Sequence, residues 1–166
     1  MAALHVLCGK AGSGKTTLAR TLGARLPGVV ICEDEWLTRL GDSVASVNDY
    51  VQAAARCRRL IEPLAADLLR LGTSVIFDFA GNTISDREWA LRVARHAGTE
   101  AVLHYLPADD DLCRARIRAR NRTQPAGIYF GHVTEDQFDE VTRYFQPPGP
   151  HEGFALLLHQ DETAIA

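Results

Sequence analysis

Residues Gly9 to Thr16 read Gly-Lys-Ala-Gly-Ser-Gly-Lys-Thr and fill every fixed position of GxxxxGK[ST]. They fall between a short apolar run, Leu4 to Cys8, and a segment, Lys15 to Leu26, that reads as a helix. This arrangement restricts the fold to strand, tight loop, helix. Gly9, Gly12 and Gly14 permit backbone dihedrals that other residues resist, so successive N–H groups can converge on one point. The following helix aims its positive end at the same point. Converging donors of that kind suit a phosphate. Lys15 has the reach for β- and γ-phosphates, and the Thr16 hydroxyl is a hard oxygen donor suited to Mg²⁺. The expected nucleotide-binding set is Gly9, Lys10, Ala11, Gly12, Ser13, Gly14, Lys15, Thr16 and Thr17, with ATP and Mg²⁺ as the cofactors.

The rest of the chain continues the alternation. Val29 to Ile31 is a second β-branched run, closed by Glu33-Asp34-Glu35. From Tyr50 to Leu71 the residues Ala54, Cys57, Ile61, Leu64, Leu68 and Leu71 recur at spacings of three and four, which predicts an amphipathic helix. Pro63 predicts a kink or a split in it. Ser74 to Phe79 is a third strand, Asp86 to His96 a helix capped by Ser85, and Val102 to Leu106 a fourth strand. Asp109-Asp110-Asp111 opens another helix, a further one spans about Glu135 to Phe145, and Ala155 to His159 is a last strand. Strands alternating with helices mean an α/β fold: three layers, with a five-stranded parallel sheet covered on both faces. Ligands on such sheets bind beyond the C-terminal strand ends, so Gly9, Asp34 and Asp78 mark where function is sought.

A kinase places its acceptor hydroxyl in line with the γ-phosphate and accepts its proton. Asp34, past the second strand and next door to the phosphate loop in the usual strand order, is the candidate base. Its neighbours Glu33 and Glu35 leave open which carboxylate points inward, and a solvated acidic turn is the competing reading. Asp78 closes the third strand and is a candidate for metal or substrate, against a turn or capping role. Asn82 and Thr83 follow as substrate candidates, though turn residues look the same.

Arg114, Arg116, Arg118, Arg120 and Arg122 alternate along one helix. In projection Arg116 and Arg120 share the side of Leu112, Cys113, Ala115, Ile117 and Ala119, whereas Arg114, Arg118 and Arg122 fall on the other, solvated side. An arginine on an apolar face needs an anion. ATP phosphates would supply it, making Arg116 and Arg120 catalytic arginines within a lid of about residues 114–130. A structural ion pair is the alternative. Asn121 to Gly127 reads as the lid tip.

With 166 residues the chain suits a single kinase domain over 1–166, large enough for a real core. The net charge of −3 argues against a chain that binds nucleic acid through bulk charge. Four separated cysteines, no basic leader and no long apolar run lead us to expect a soluble cytoplasmic protein, with nothing in a membrane. The six histidines lack metal spacing and read as surface or packing residues. Trp36 and Trp89 read first as core or rim packing; Trp36, which follows Asp34 closely, is the better of the two for stacking on an acceptor.

These residues resemble the small P-loop kinases that include polynucleotide 5′-kinase domains, zeta toxins and chloramphenicol phosphotransferase. The resemblance covers most of the chain. It rests on GKAGSGKTT, on Glu33-Asp34-Glu35, on Asp78 and Asn82, on Arg116 and Arg120, and on Phe145-Gln146-Pro147-Pro148 through Glu152-Gly153-Phe154. It implies that Asp34 is the base, that Arg116 and Arg120 are lid arginines, and that the Pro-rich segment lies near the adenine. Polynucleotide kinases tend to carry an Arg three positions after the catalytic Asp, where this chain has Leu37, with Arg39 off register. That departure favours a small hydroxylated acceptor, such as an antibiotic, sugar or nucleoside, over nucleic-acid ends. Two alternatives stand beside it: a 5′-hydroxyl polynucleotide kinase, and an ATPase switch that binds a partner protein and phosphorylates nothing.

Overall fold

The computed structural model describes residues 1–41 and 46–160. Five strands, β1 (Ala3–Cys8), β2 (Gly28–Cys32), β3 (Ser74–Asp78), β4 (Glu100–Tyr105) and β5 (Ala155–Leu158), form one sheet in the order β2-β3-β1-β4-β5. All pairings are parallel. The helices are α1 (Lys15–Arg25), α2 (Glu33–Leu40), α3 (Val47–Arg70), α4 (Ile84–Ala97), α5 (Asp110–Thr123) and α6 (Glu135–Thr142). The expected α/β fold with a five-stranded parallel sheet is present. One detail differs: β3 lies between β1 and β2, so the strand leading to Asp34 is not next door to the phosphate loop.

Strand alternation sorts the core. Leu4, Val6 and Cys8 of β1 join Ile31, Val75, Phe77 and Leu103 on one face, under α3 and α4. Leu7 and Ile76 face the other way, onto Ala19 of α1 with Leu18 and Leu22 beside it.

Helix α3 is continuous through Pro63. Proline removes one N–H, but the carbonyl left over belongs to Arg59, on the exposed side, where water serves as its partner. The buried stripe is also smaller in side-chain size than the leucine pattern predicts. It consists of Ala53, Ala54, Cys57, Ile61, Ala65, Ala66 and Leu69, with Leu64 and Leu71 left exposed. Helix α4 starts one residue pair earlier than expected. Thr83, not Ser85, caps it in a reciprocal box with Asp86, so the Thr83 hydroxyl is committed to the cap. Trp89 is core, stacked on Phe77 with ring centroids 5.2 Å apart. All four cysteines are buried and free. Among the described residues no helix is long and apolar enough to cross a membrane.

Three histidines form a ladder across the strands. His5 Nδ1 lies 3.0 Å from His104 Nε2, and His104 Nδ1 lies 2.9 Å from Nε2 of His159, just past β5. The middle ring is buried, and that burial, followed by the charges of its two neighbours, lowers the His104 pKa to about 4. Burial lowers His5 and His159 as well. The folded chain thus binds fewer protons than the unfolded chain, in which histidine titrates near 6.5. This contribution is complete above pH 6.5 and declines as pH falls toward 4. Thermal unfolding followed from pH 7 to pH 4.5 should show a falling midpoint. His104→Leu should flatten the slope by about one proton, or about 1.4 kcal/mol per pH unit. An unchanged slope in that variant would disprove the ladder's role.

Candidate active site

The loop from Gly9 to Gly14 leaves the end of β1 and enters α1 as its sequence requires. Gly12 has φ 79°, and a Cβ there would sit 2.6 Å from the Cys113 carbonyl oxygen of α5. Gly14, the residue that starts α1, has φ 104°. Helix α1 has no side-chain cap and no carboxylate in its first turn. By contrast α3, α4, α5 and α6 are capped by Ser46, Thr83, Asp109 and Thr134, and α2 carries three carboxylates in its first turn. The loop mouth therefore keeps its positive end uncompensated by the chain. Ser13 Oγ is buried there without a hydrogen-bond partner among the described residues.

Lys15 folds back onto the loop, its Nζ donating to Gly9 O at 2.6 Å and Lys10 O at 2.9 Å. Burial lowers its pKa, while Asp78 first, and Asp34 more weakly, act to raise it. Lys10 pairs with Asp110 at 2.5 Å. Thr16 and Thr17 occupy the first turn of α1. The Thr16 hydroxyl and the Asp78 carboxylate, at the buried end of β3, are hard oxygen donors. Mg²⁺ takes few protein ligands and fills its octahedron with water and phosphate oxygens, so this donor set fits it. Burial and then the charge of Asp78 push the neighbouring Cys32 thiol up to about 12, so it stays neutral.

The acidic triplet is not a turn but the first turn of α2, and its three carboxylates go three ways. Glu33 is 1% exposed and accepts from Tyr50 Oη at 2.7 Å and from Arg58 Nε at 3.1 Å. Burial pushes its pKa up, and Arg58 and Tyr50 hold that push back. Glu35 pairs with Arg39 at 2.6 Å on the surface. Asp34 keeps an exposed surface, while the surrounding chain encloses much of its neighbourhood. Enclosure, then the Asp78 carboxylate, raise its pKa, and Lys15 and Arg120 oppose the rise. Water access weakens all of these effects. Asp34, in the first turn of α2, thus lies beside Asp78, which ends the adjacent strand β3, and its charge reaches Lys15 although β3 separates β2 from β1. Trp36 is half-buried and packs against the main core.

Helix α5 crosses the loop, with Cys113 and Ile117 buried against it. Arg116 Nη1 donates to Ser13 O at 3.3 Å, so this side chain already holds the loop. Arg120 acts electrostatically on Asp34, and its Nε is buried with no hydrogen-bond partner among the described residues. Of the outward arginines, Arg118 and Arg122 are exposed as expected, but Arg114 pairs with Glu135 and Asp139 and lies over the Phe138 ring, and Arg118 pairs with Glu135. Arg114 and Arg118 fasten α5 to α6. Asn121 is not part of a lid tip but lies within α5, clamping Val133 through both its amide nitrogen (2.8 Å) and oxygen (3.2 Å). Arg20 of α1 donates to the Gly127 carbonyl, fastening the following loop to α1. Asn82 accepts from Gly9 N–H at 3.0 Å. The Pro-rich segment supplies Phe145 and Pro147 to a cavity of about 350 Å³, which Lys10, Tyr105 and residues 106–109 complete.

Sequence reasoning missed Arg58, Arg87 and α2 itself. The signal for Arg58 was its place one residue from Cys57, on the flank of the buried stripe of α3. Arg58 holds Glu33 and, at 2.6 Å, Asp86. Removing it strands a buried carboxylate next to Asp34. Arg58→Met should lower unfolding free energy in urea by about 3 kcal/mol, and pairing it with Glu33→Gln should recover much of the loss. A loss below about 1 kcal/mol would show that Glu33 does not depend on Arg58.

A family model described as an AAA domain matches residues 4–148. Among solved structures the chain is similar to a proposed kinase from Chloroflexus aurantiacus, at 24% identity and a TM-score of 0.70, over 96% of this chain and 85% of that one. It is similar to Kti12 from Chaetomium thermophilum in complex with ADP-AlF3, at 18% identity and a TM-score of 0.73, over 96% and 89%. It is also similar to the APS kinase CysC from Mycobacterium tuberculosis in complex with AMPPNP and APS, at 20% identity and a TM-score of 0.64, over 98% and 90%. No curated protein sequence matches. With the family model covering most of its length and the solved structures superposing over nearly the whole chain, this chain belongs to the AAA-domain family and has the fold of the small P-loop kinases.

Proposed function

We propose that this chain is a kinase that transfers the γ-phosphoryl group of ATP to a hydroxyl of a small molecule. The observation that carries the reading is the meeting of an uncapped, carboxylate-free helix start at Gly14 with Lys15, Asp34, Asp78 and Arg120. Solved neighbours holding ADP-AlF3 or AMPPNP support the nucleotide part.

In this reading the amides of Gly9 to Thr17 and Lys15 Nζ hold the phosphates, with Lys15 leaving the Gly9 and Lys10 carbonyls to reach them. Mg²⁺, held by Thr16 and Asp78, would neutralise charge on the β- and γ-phosphate oxygens. Asp34 accepts the proton of the acceptor hydroxyl as its oxygen bonds to the γ-phosphorus and the bond to the ADP oxygen breaks. Arg120, its Nε without a hydrogen-bond partner among the described residues, and Arg116 take up charge on the transferred group. Trp36, two residues beyond Asp34 on α2, is the acceptor-side candidate, whereas the Asn82 side chain is engaged by the Gly9 amide.

Leu37 is 4% exposed and packed, and Arg39 is turned to Glu35 at the surface. No cation therefore comes from the α2 position that polynucleotide kinases tend to use for an acceptor phosphate. This favours a small hydroxylated acceptor without a phosphate at that position. The polynucleotide reading keeps some support from a structural neighbour in an RNA repair complex, a likeness that covers 43% of that chain.

Labelled ATP incubated with a panel of sugars, nucleosides, aminoglycosides and short 5′-hydroxyl oligonucleotides should label a small molecule. Asp34→Asn should then reduce kcat by about 10²- to 10⁴-fold with little change in ATP affinity. The acid limb of the rate profile should lie above the ordinary Asp value of 3.8, because enclosure and Asp78 raise the Asp34 pKa; below it the protonated base loses activity. An Asp34→Asn variant as fast as the parent would remove Asp34 from the mechanism, and labelling of oligonucleotides alone would select the polynucleotide reading.

A further inference from the structure

The first amide of the phosphate loop has a partner from outside the loop. Gly9 N–H donates to Asn82 Oδ1 at 3.0 Å, and Gly9 O accepts from Lys15 Nζ at 2.6 Å. A glycine has the freest backbone in the chain, so these two bonds decide how the loop leaves β1. In the proposed reaction Lys15 moves to the phosphates and releases Gly9 O. Asn82 is then the remaining side-chain tether on Gly9.

Asn82 sits on a loop that is held on every side. Gly81 N–H donates to Leu7 O at 3.3 Å, Gln146 N–H donates to Asn82 O at 2.8 Å, and Ile84 N–H donates to Gln146 Oε1 at 2.8 Å. At the centre lies Arg87, with 0% exposure. Its Nη1 donates to Gly81 O at 3.1 Å and to Gln146 O at 2.9 Å, and its Nε and Nη2 fork onto Glu152 at 2.5 and 2.8 Å. Glu152 also accepts from Gly149 N–H at 2.8 Å. A guanidinium buried this deeply is stable only because its donors are satisfied. Two of its acceptors are the carbonyls of Gly81, which precedes Asn82, and of Gln146, which itself bonds Asn82. Gln146 also stands between Phe145 and Pro147, the walls of the cavity beside Lys10.

We propose that Asn82 is a positioning residue of the phosphate loop, and that Arg87 acts through it by fixing both segments that hold it. This rests on the reading of the loop as a nucleotide site. Asn82 keeps Gly9 oriented after Lys15 has moved, so losing it affects nucleotide affinity more than the stability of the free chain.

The test uses the full chain and Mg·ATP in calorimetry, with hydrogen exchange at the Gly9 amide read by NMR. Asn82→Ala should weaken ATP binding about tenfold and speed exchange at Gly9, in a variant that stays folded with its midpoint of thermal unfolding lowered by only a few degrees. Arg87→Met should weaken ATP binding as well, and the Asn82→Ala/Arg87→Met double variant should bind no more weakly than the weaker single one. Should Arg87→Met fail to fold, Asn82→Ala alone carries the test. Parent-like affinity together with parent-like Gly9 exchange in Asn82→Ala would overturn the proposal, and additive losses in the double variant would overturn the role of Arg87. Loss of the nucleotide reading shows differently: the parent chain would bind no ATP, or Lys15→Ala would bind it as well as the parent. In that case Gly9 exchange still reports whether Asn82 positions the loop.

Discussion

Helix α1 begins with N–H groups that no capping side chain among the described residues occupies. Each other described helix has a capping side chain or carboxylates in its first turn, whereas α1 starts at a left-handed glycine with neither. Unsatisfied donors at a helix start are tolerated when water or an anion reaches them. That constraint explains the surroundings. Gly12 has no side chain because α5 passes too closely, and Lys15 rests on the Gly9 and Lys10 carbonyls, beside the donors it would serve.

The charged groups that hold this region are mostly buried or tied to one another. Arg58 supports Glu33 beneath Asp34, Arg87 supports the Asn82 loop, and Arg114 and Arg118 fasten α5 to α6. A rigid frame of this kind suits a reaction in which positioning and electrostatics supply most of the rate. Asp34 keeps an exposed surface, which leaves it accessible to an acceptor.

The sheet, every described helix but α2, and the phosphate loop were legible because each rests on local pattern: β-branched runs, threefold and fourfold apolar spacing, glycines at fixed offsets. Boundaries fell within a residue or two for β1, α1 and β5. Whatever depended on long-range partners was not legible. The three carboxylates of Glu33-Asp34-Glu35 are adjacent in sequence, and only Tyr50, Arg58 and Arg39 from elsewhere in α2 and α3 separate their fates. Projection separated Arg116 and Arg120 from Arg114 and Arg118 but could not reveal α6 as the partner of the outer pair. The leucine pattern of α3 misled because small side chains, Ala53, Ala65 and Ala66, make the close contact, and size carries no periodic signal of its own. The histidine ladder joins residues 55 and 99 positions apart, which no local spacing reveals.

The central claim is that the loop between β1 and α1 encloses phosphate, and Gly12 tests it most directly. A side chain at that position meets the Cys113 carbonyl and closes the loop from above. Calorimetric titration of Mg·ATP should give clear binding to the parent chain and none measurable to Gly12→Val, with the variant still folded by circular dichroism. Equal ATP affinity in a folded Gly12→Val variant would contradict the account.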